Sequence, residues 1–327
     1  MDRLSTDTAM PGYRIVDRLD KNEAAEREAV IAGLLAESAR INPKYFYDEL
    51  GCALYGAICR LPEYYPTRTE ILLFQTFRAE IGEAMGTGKA LIDLGAGDCC
   101  KAQGWIPFLS PECYVAVDVA RAEIERSLMK MATDFPGLVL TGVVTDFSRS
   151  LDIDDVLPQG PLSFFYPGSS IGNFSPPDAR AFLAQIRALC ARHSGSGLLI
   201  GVDCKKDKAV LDAAYDDALG VTAAFNRNVL RHLNRIYGFD FDIGAFAHRG
   251  FYNESQGRIE MHLEVLRDQT VRLGAATRTF AATERIHTEN SYKYHPEEFA
   301  QLLRDAGFTS QRTWCSEAPR YAVFYAQ

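Results

Sequence analysis

Five short apolar runs punctuate the middle of the chain: ALIDL (90–94), CYVAVDV (113–119), LVLTGVV (138–144), PLSFFY (161–166) and GLLIGVD (197–203). Each is apolar on both alternating faces, and helical spacing fills the intervals between them. The pattern predicts buried parallel strands in βαβ units, a doubly wound α/β core. Near the end, PEEFAQLLRDAG (296–307) predicts a helix with a glycine stop, and YAVFYA (321–326) a last strand able to rejoin that sheet.

The flanking texture differs. EAAEREAVIAGLLAES (23–38) spaces its apolar residues as an amphipathic helix, and the tyrosine-dense stretch from Asn42 to Glu70 turns at Pro66. From Lys205 to about Arg258 the spacing is helical, with a long candidate over 208–238 interrupted around Gly220. RIEMHLEVLR (258–267) and VRLGAATRTF (271–280) then alternate like two strands joined by the tight loop DQT. This insertion predicts a second domain. In TENSYKY (288–294) an extended chain projects Glu289 and Ser291 to one face and Asn290 to the other.

A length of 327 residues agrees with two domains. The formal charge of −8 argues against non-specific nucleic-acid binding, which needs a basic surface, and suits a small neutral or cationic substrate. There is no apolar run long enough for a membrane span, and MDRLSTDTAMPGY lacks the apolar core of a secretory signal, so a cytoplasmic protein is expected, with disorder confined at most to the first dozen residues. The eight cysteines have no C-x-x-C spacing and are expected as buried free thiols; the six histidines show no ligand spacing, so no metal site is expected.

Chemistry first shows in LIDLGAGDCCKA, where G-x-G follows a predicted strand and Asp118 closes the next one, 21 residues beyond Gly97. Glycines let backbone approach a ligand, and an acid at the second strand end accepts ribose hydroxyls, so the loop indicates an adenosine-containing cofactor. Cys100 stands where a dinucleotide site would have its third glycine, and Asp93 gives the form D-x-G-x-G found in S-adenosylmethionine (SAM) dependent methyltransferases. After the third predicted strand, Asp146 and Phe147 offer an acceptor and a ring face for adenine.

The strings LPEYYPTRTE, LIDLGAGDCCK, VDV, TDF, FYPGSSIGNF, AYDDALGVTAAFNRNVL, RIEMHLEV and TENS together resemble the histidine-specific, SAM-dependent Nα-methyltransferases of ergothioneine biosynthesis (EgtD-like enzymes), over about residues 41–310. The resemblance implies a Rossmann-like SAM-dependent methyltransferase core, here 70–203 and 294–327. It also implies a second, α+β substrate-binding domain, here 28–69 and 204–293, with the amino acid bound between the two. Carried over by position, Gly95, Lys101, Asp118, Asp146 and Phe147 fall on cofactor-contacting positions, and Tyr64, Gly168, Asn173, Tyr215, Met261, Glu289 and Ser291 on substrate-contacting ones. Tyr47 matches a tyrosine near the amine. The implied reaction is trimethylation of L-histidine to hercynine with SAM, by positioning and without a dedicated catalytic base; no protein partner is implied. Asp98-Cys99-Cys100 departs from the small polar residues usual in the family loop.

Glu289 and Ser291 suit an imidazole, which carries a donor on one edge and an acceptor on the other. Three alternatives stand beside this reading. Glu289 pairs with Lys293 or an arginine while Ser291 faces solvent; the enzyme methylates another amino acid, such as tryptophan, which would want an apolar pocket in place of Glu289; or the protein is a silent SAM-binding or partner-binding relative whose loop has drifted to GDCC.

Overall fold

A computed structural model describes residues 6–10, 12–19, 22–148 and 150–327. Its strands are β1 (Thr6–Met10), β2 (Tyr13–Asp17), β3 (Ala90–Leu94), β4 (Cys113–Asp118), β5 (Val139–Val144), β6 (Leu162–Tyr166), β7 (Gly197–Asp203), β8 (Phe246–Asn253), β9 (Arg258–Val265), β10 (Gln269–Leu273), β11 (Ala276–Phe280), β12 (Arg285–Tyr292), β13 (Gln311–Cys315) and β14 (Tyr321–Ala326). The helices are α1 (Glu23–Leu35), α2 (Glu49–Ile58), α3 (Tyr65–Thr76), α4 (Arg78–Met85), α5 (Cys100–Gln103), α6 (Ile106–Leu109), α7 (Arg121–Asp134), α8 (Pro176–Arg192), α9 (Lys208–Tyr215), α10 (Val221–Tyr237) and α11 (Pro296–Asp305). The chain divides into two compact units: 1–19, 66–205 and 294–327 form one, and 20–65 with 206–293 the other.

The first unit is built on one sheet in the order β1-β2-β5-β4-β3-β6-β7-β14-β13. From β2 to β7 every pairing is parallel, and β14 closes against β7 antiparallel, with Tyr321 opposite Asp203. β3, β6 and β7 are buried at every position, as expected of strands covered on both faces. The strand order reverses between β4 and β6 around β3, so the loops after β3 and β6 flank a topological switch point. Ligands in open α/β sheets gather at such a crevice. Helix ends are capped by their sequence: Ser175 and two prolines open α8, and His295 and Glu298 form a reciprocal capping box on α11.

The second unit has a three-stranded antiparallel sheet, β12-β9-β8, and a separate hairpin, β10-β11. The break expected near Gly220 is real: α9 ends at Tyr215, and Asp217 caps α10 by accepting from the backbone of Val221 and Thr222 at 3.0 and 2.7 Å.

Three expectations are corrected. The stretch 258–267 does not pair with 271–280; β9 is instead the central strand between β8 and β12, and 271–280 itself folds back at Gly274–Ala275. The region read as helical up to Arg258 contains β8, whose alternate buried positions include His248 and Gly250 in place of apolar residues, which hides the period of two. Disorder was expected at most over the first dozen residues, and within that bound Thr6–Met10 forms a strand against β2. The eight cysteines were expected as buried thiols; none forms a disulfide, and only Cys99, Cys190 and Cys204 are buried.

Gly250 is set by close approach: a side chain there would overlap the backbone carbonyl oxygen of Tyr215. Gly250→Ala should therefore push α9 off the sheet and lower unfolding free energy by about 1–3 kcal/mol. Urea denaturation with an unchanged midpoint would contradict this.

Candidate functional site

In the first unit, the C-terminal ends of β3, β4, β5 and β6 bring together most of the residues the cofactor reading named. The loop after β3 leaves the strand through Gly95 and Gly97, with φ of +68° and +50°, a region costly for any residue with a Cβ. No atom lies within 4 Å of where a Gly97 side chain would project. The Asp118 carboxylate accepts from the backbone N–H of Gly97 and of Ala120, each at 2.9 Å. Desolvation raises its pKa and those two N–H groups pull it back. Each oxygen keeps acceptor capacity for a further hydroxyl. Phe147 stacks on Phe182 at 5.7 Å, and Asp146 accepts from the Ser148 backbone at 3.2 Å and from its hydroxyl.

Lys101, on α5, reaches a residue that sequence reasoning quoted only as the end of LPEYYPTRTE. Glu70 is fully buried on α3, and its carboxylate accepts from the Lys101 ammonium at 2.6 Å, the Gly168 N–H at 2.7 Å and the Tyr321 hydroxyl at 2.7 Å. One carboxylate thus ties the loop after β3, the loop after β6 and β14. Gly168 (φ +81°) begins the turn that runs through the short helix Ser170–Asn173, where Asn173 is exposed. Ser169 anchors this turn by accepting from the Asp203 backbone at 2.8 Å.

Asp93, the first residue of D-x-G-x-G, is buried and accepts from the Tyr114 hydroxyl at 2.6 Å. Desolvation pushes its pKa up to about 7, with Asp118 adding to the rise and Tyr114 opposing it.

In the second unit, β12 buries Glu289 and Ser291 on one face, leaves Asn290 half-buried and sets Met261 of β9 directly opposite Glu289. Ser291 is 4% exposed, so the alternative in which its hydroxyl faces solvent is excluded. Tyr215, at the end of α9, donates its hydroxyl to Ser291 Oγ at 3.1 Å, and the ring of Tyr64 meets Tyr215 edge-on at 5.9 Å. Burial pushes the Tyr64 hydroxyl well above its ordinary pKa. Tyr47 is edge-on to Tyr55 and Phe225, half-buried. Five of the expected substrate residues (Tyr64, Tyr215, Met261, Glu289, Ser291) therefore belong to this unit, whereas Gly168 and Asn173 belong to the first.

Of two supports of this face, His248 carried no readable signal and Lys293 was read only as a possible partner of Glu289. His248 donates Nε2–H to the Tyr215 carbonyl at 2.8 Å and accepts at Nδ1 from Asn226 at 2.8 Å; burial lowers its pKa, so the neutral ring is held in one tautomer. Lys293 is 2% exposed and donates to both Ser291 and Tyr215, at 2.9 and 3.0 Å. Among the described residues no group of three or more His, Cys, Asp and Glu side chains converges as a metal site, and no helix is long and apolar enough to cross a membrane.

A family model described as histidine-specific, SAM-dependent methyltransferase matches residues 26–327. The chain belongs to that family. A histidine N-alpha-methyltransferase of Mycolicibacterium smegmatis is 36% identical, over 95% of this chain and 98% of its own length. The ergothioneine biosynthesis protein 1 of Schizosaccharomyces pombe is 26% identical over 85% of this chain, which spans 37% of that protein. A 4-dimethylallyltryptophan N-methyltransferase of Trichophyton verrucosum is 26% identical over 94% of both chains.

The chain is thus a SAM-dependent methyltransferase, and the loops of its first unit fit SAM: open space above Gly97, a diol acceptor at Asp118 and a ring face at Phe147.

Replacing Glu70 with Gln leaves one of three buried donors facing an amide, at a cost of about 1–3 kcal/mol. The methyltransferase should melt lower and bind SAM more weakly by calorimetry; wild-type values for both would contradict the tie. For Asp93, the folded state holds a proton that the unfolded state releases near pH 4. Its destabilising contribution is therefore absent below about pH 4 and complete above its folded pKa of about 7. The gain in melting temperature of Asp93→Asn over wild type should grow from pH 5 to pH 8; a pH-independent difference would contradict it.

Proposed function

We propose that this methyltransferase transfers three methyl groups from SAM to the α-amino group of L-histidine, giving Nα,Nα,Nα-trimethylhistidine (hercynine), the first step of ergothioneine biosynthesis. The observation that carries the reading is the buried carboxylate–hydroxyl pair Glu289 and Ser291 on one strand face, with Met261 opposite. The names of the mycobacterial and fission-yeast relatives support it.

On this reading Glu289 accepts the ring N–H, Ser291 meets the other ring nitrogen, and Met261 lines the ring. Tyr64, Tyr215 and the Tyr47 ring crowd the amino-acid end; for the first unit, an amine-orienting role is proposed for Asn173 and the backbone of Gly168. Bound SAM supplies an electrophilic methyl group on a sulfonium. Gly95 lets backbone lie close to it, Asp118 takes the ribose hydroxyls, Asp146 and Phe147 take the adenine, and Lys101 offers a cation to the carboxylate.

An attacking amine must be neutral, yet even a peptide α-ammonium has a pKa of about 7.7–8.0, and the carboxylate of a free amino acid raises it further. A neighbouring positive charge lowers that value, so alignment is the chief task of the protein and no side chain is assigned as a base. Aromatic faces stabilise the quaternary ammonium that three transfers produce. A tryptophan-type substrate has an indole N–H for Glu289 but no ring lone pair to meet Ser291. The enzyme acts on a small amino acid in the cytoplasm.

Glu289→Ala should lower kcat/KM for histidine by roughly 10- to 100-fold or more, since one unmatched buried group costs about 1–3 kcal/mol. Mass analysis of products from SAM and each of the twenty amino acids should show three added methyl groups on histidine alone. Equal turnover by the Ala variant, or product from another amino acid, would overturn the assignment.

A further inference from the structure

The direction of each hydrogen bond at Ser291 can be worked out from its neighbours. The Lys293 ammonium is a donor only, and it donates to Ser291 Oγ at 2.9 Å and to the Tyr215 hydroxyl at 3.0 Å. Tyr215, having accepted from Lys293, donates its own hydrogen to Ser291 Oγ at 3.1 Å. A serine hydroxyl has two lone pairs and one hydrogen. Lys293 and Tyr215 fill both lone pairs, so what Ser291 offers a ligand is its O–H.

We propose that Lys293 fixes Ser291 as a hydrogen-bond donor, so that Glu289 and Ser291 read the neutral imidazole in one tautomer and reject the imidazolium. The inference rests on the placement of the histidine ring at Glu289 and Ser291. An imidazolium has N–H on both edges and would set one of them against the Ser291 O–H, whereas a neutral ring presents its lone pair there. Lys293 touches neither ring edge in this account; it is a positioning residue that sets the polarity of its neighbour. Its ammonium also lies 4.8 Å from the centre of the Tyr215 ring, which fixes the tyrosine between lysine and serine.

Several other titratable groups surround the cluster. Tyr55 and Tyr64 are held protonated by burial; His248 stands at the Tyr215 carbonyl; Glu289 and His287 share β12; and Glu260 and His262 lie on the adjacent β9, with Arg258 on Glu260. A ligand whose ring does not titrate separates their effect from that of the ligand.

The test is calorimetric binding of L-histidine to the full chain from pH 5.5 to 8, with triazolylalanine, whose ring stays neutral over that range, as reference. Wild-type affinity for histidine, relative to the reference, should fall up to tenfold per pH unit below the ring pKa of about 6.5. Lys293→Met frees a lone pair on Ser291 and should flatten that fall. Lys293→Gln, which removes the charge but keeps an N–H donor, should keep it steep. Ser291→Ala, which removes the donor itself, should flatten it even if the Met variant does not fold. Profiles parallel to wild type in the Met and Ala variants, or flattening in Gln equal to that in Met, would overturn the proposal. Histidine affinity unchanged by Glu289→Ala would instead overturn the ring placement, and this inference with it.

Discussion

A polar group taken out of water must find a partner, and that constraint shapes the second unit around Tyr215. Its hydroxyl sits between Lys293 and Ser291, and its carbonyl accepts from His248. His248 in turn takes a hydrogen from Asn226, whose own oxygen accepts from Thr288 at 2.8 Å, next to Glu289 in the chain. The end of α9, the start of α10 and the strands β8 and β12 are therefore joined through hydrogen bonds that leave little freedom at the face where Glu289 and Ser291 emerge. Gly250 is the steric condition for the arrangement, since only a residue without a side chain lets the Tyr215 backbone come so near β8.

The first unit applies the same rule with a charge. Glu70 has no access to solvent, and its three donors come from α5, the loop after β6 and β14, elements far apart in sequence. Buried carboxylates are costly unless paired and hydrogen-bonded, and here the pairing fixes the turn at Gly168 relative to Lys101. The glycine-rich loop after β3 is held from the other side, by the hydrogen bond from Gly97 to Asp118. Loops expected to contact SAM are thus preorganised by contacts made within their own unit.

Much of the fold was legible because the parallel strands are buried on both faces and read as plain apolar runs, from ALIDL to GLLIGVD. The loop glycines, Asp118 and Asp146 were legible because strand ends place them. β8 was not, because its buried face is spent on His248 and Gly250, one a hydrogen-bonding support and the other a space for backbone. The hairpin β10-β11 was read in the wrong frame because alternation marks a strand without saying which strand it pairs with. Glu70 looks like a surface charge in the sequence and Lys293 like a partner for Glu289; only tertiary contacts show that each is buried and which polar groups it meets. Pairwise direction of hydrogen bonds, which decides what Ser291 can offer a ligand, is likewise invisible in a string of residues.

The central claim is that a carboxylate and an oriented hydroxyl on β12 recognise a neutral imidazole. Nitrogen NMR of ring-labelled L-histidine bound to the protein near neutral pH tests it most directly. The account predicts one protonated and one unprotonated ring nitrogen, in slow exchange with free ligand and in a single tautomer. Two protonated nitrogens, or the tautomer average of free histidine, would contradict it.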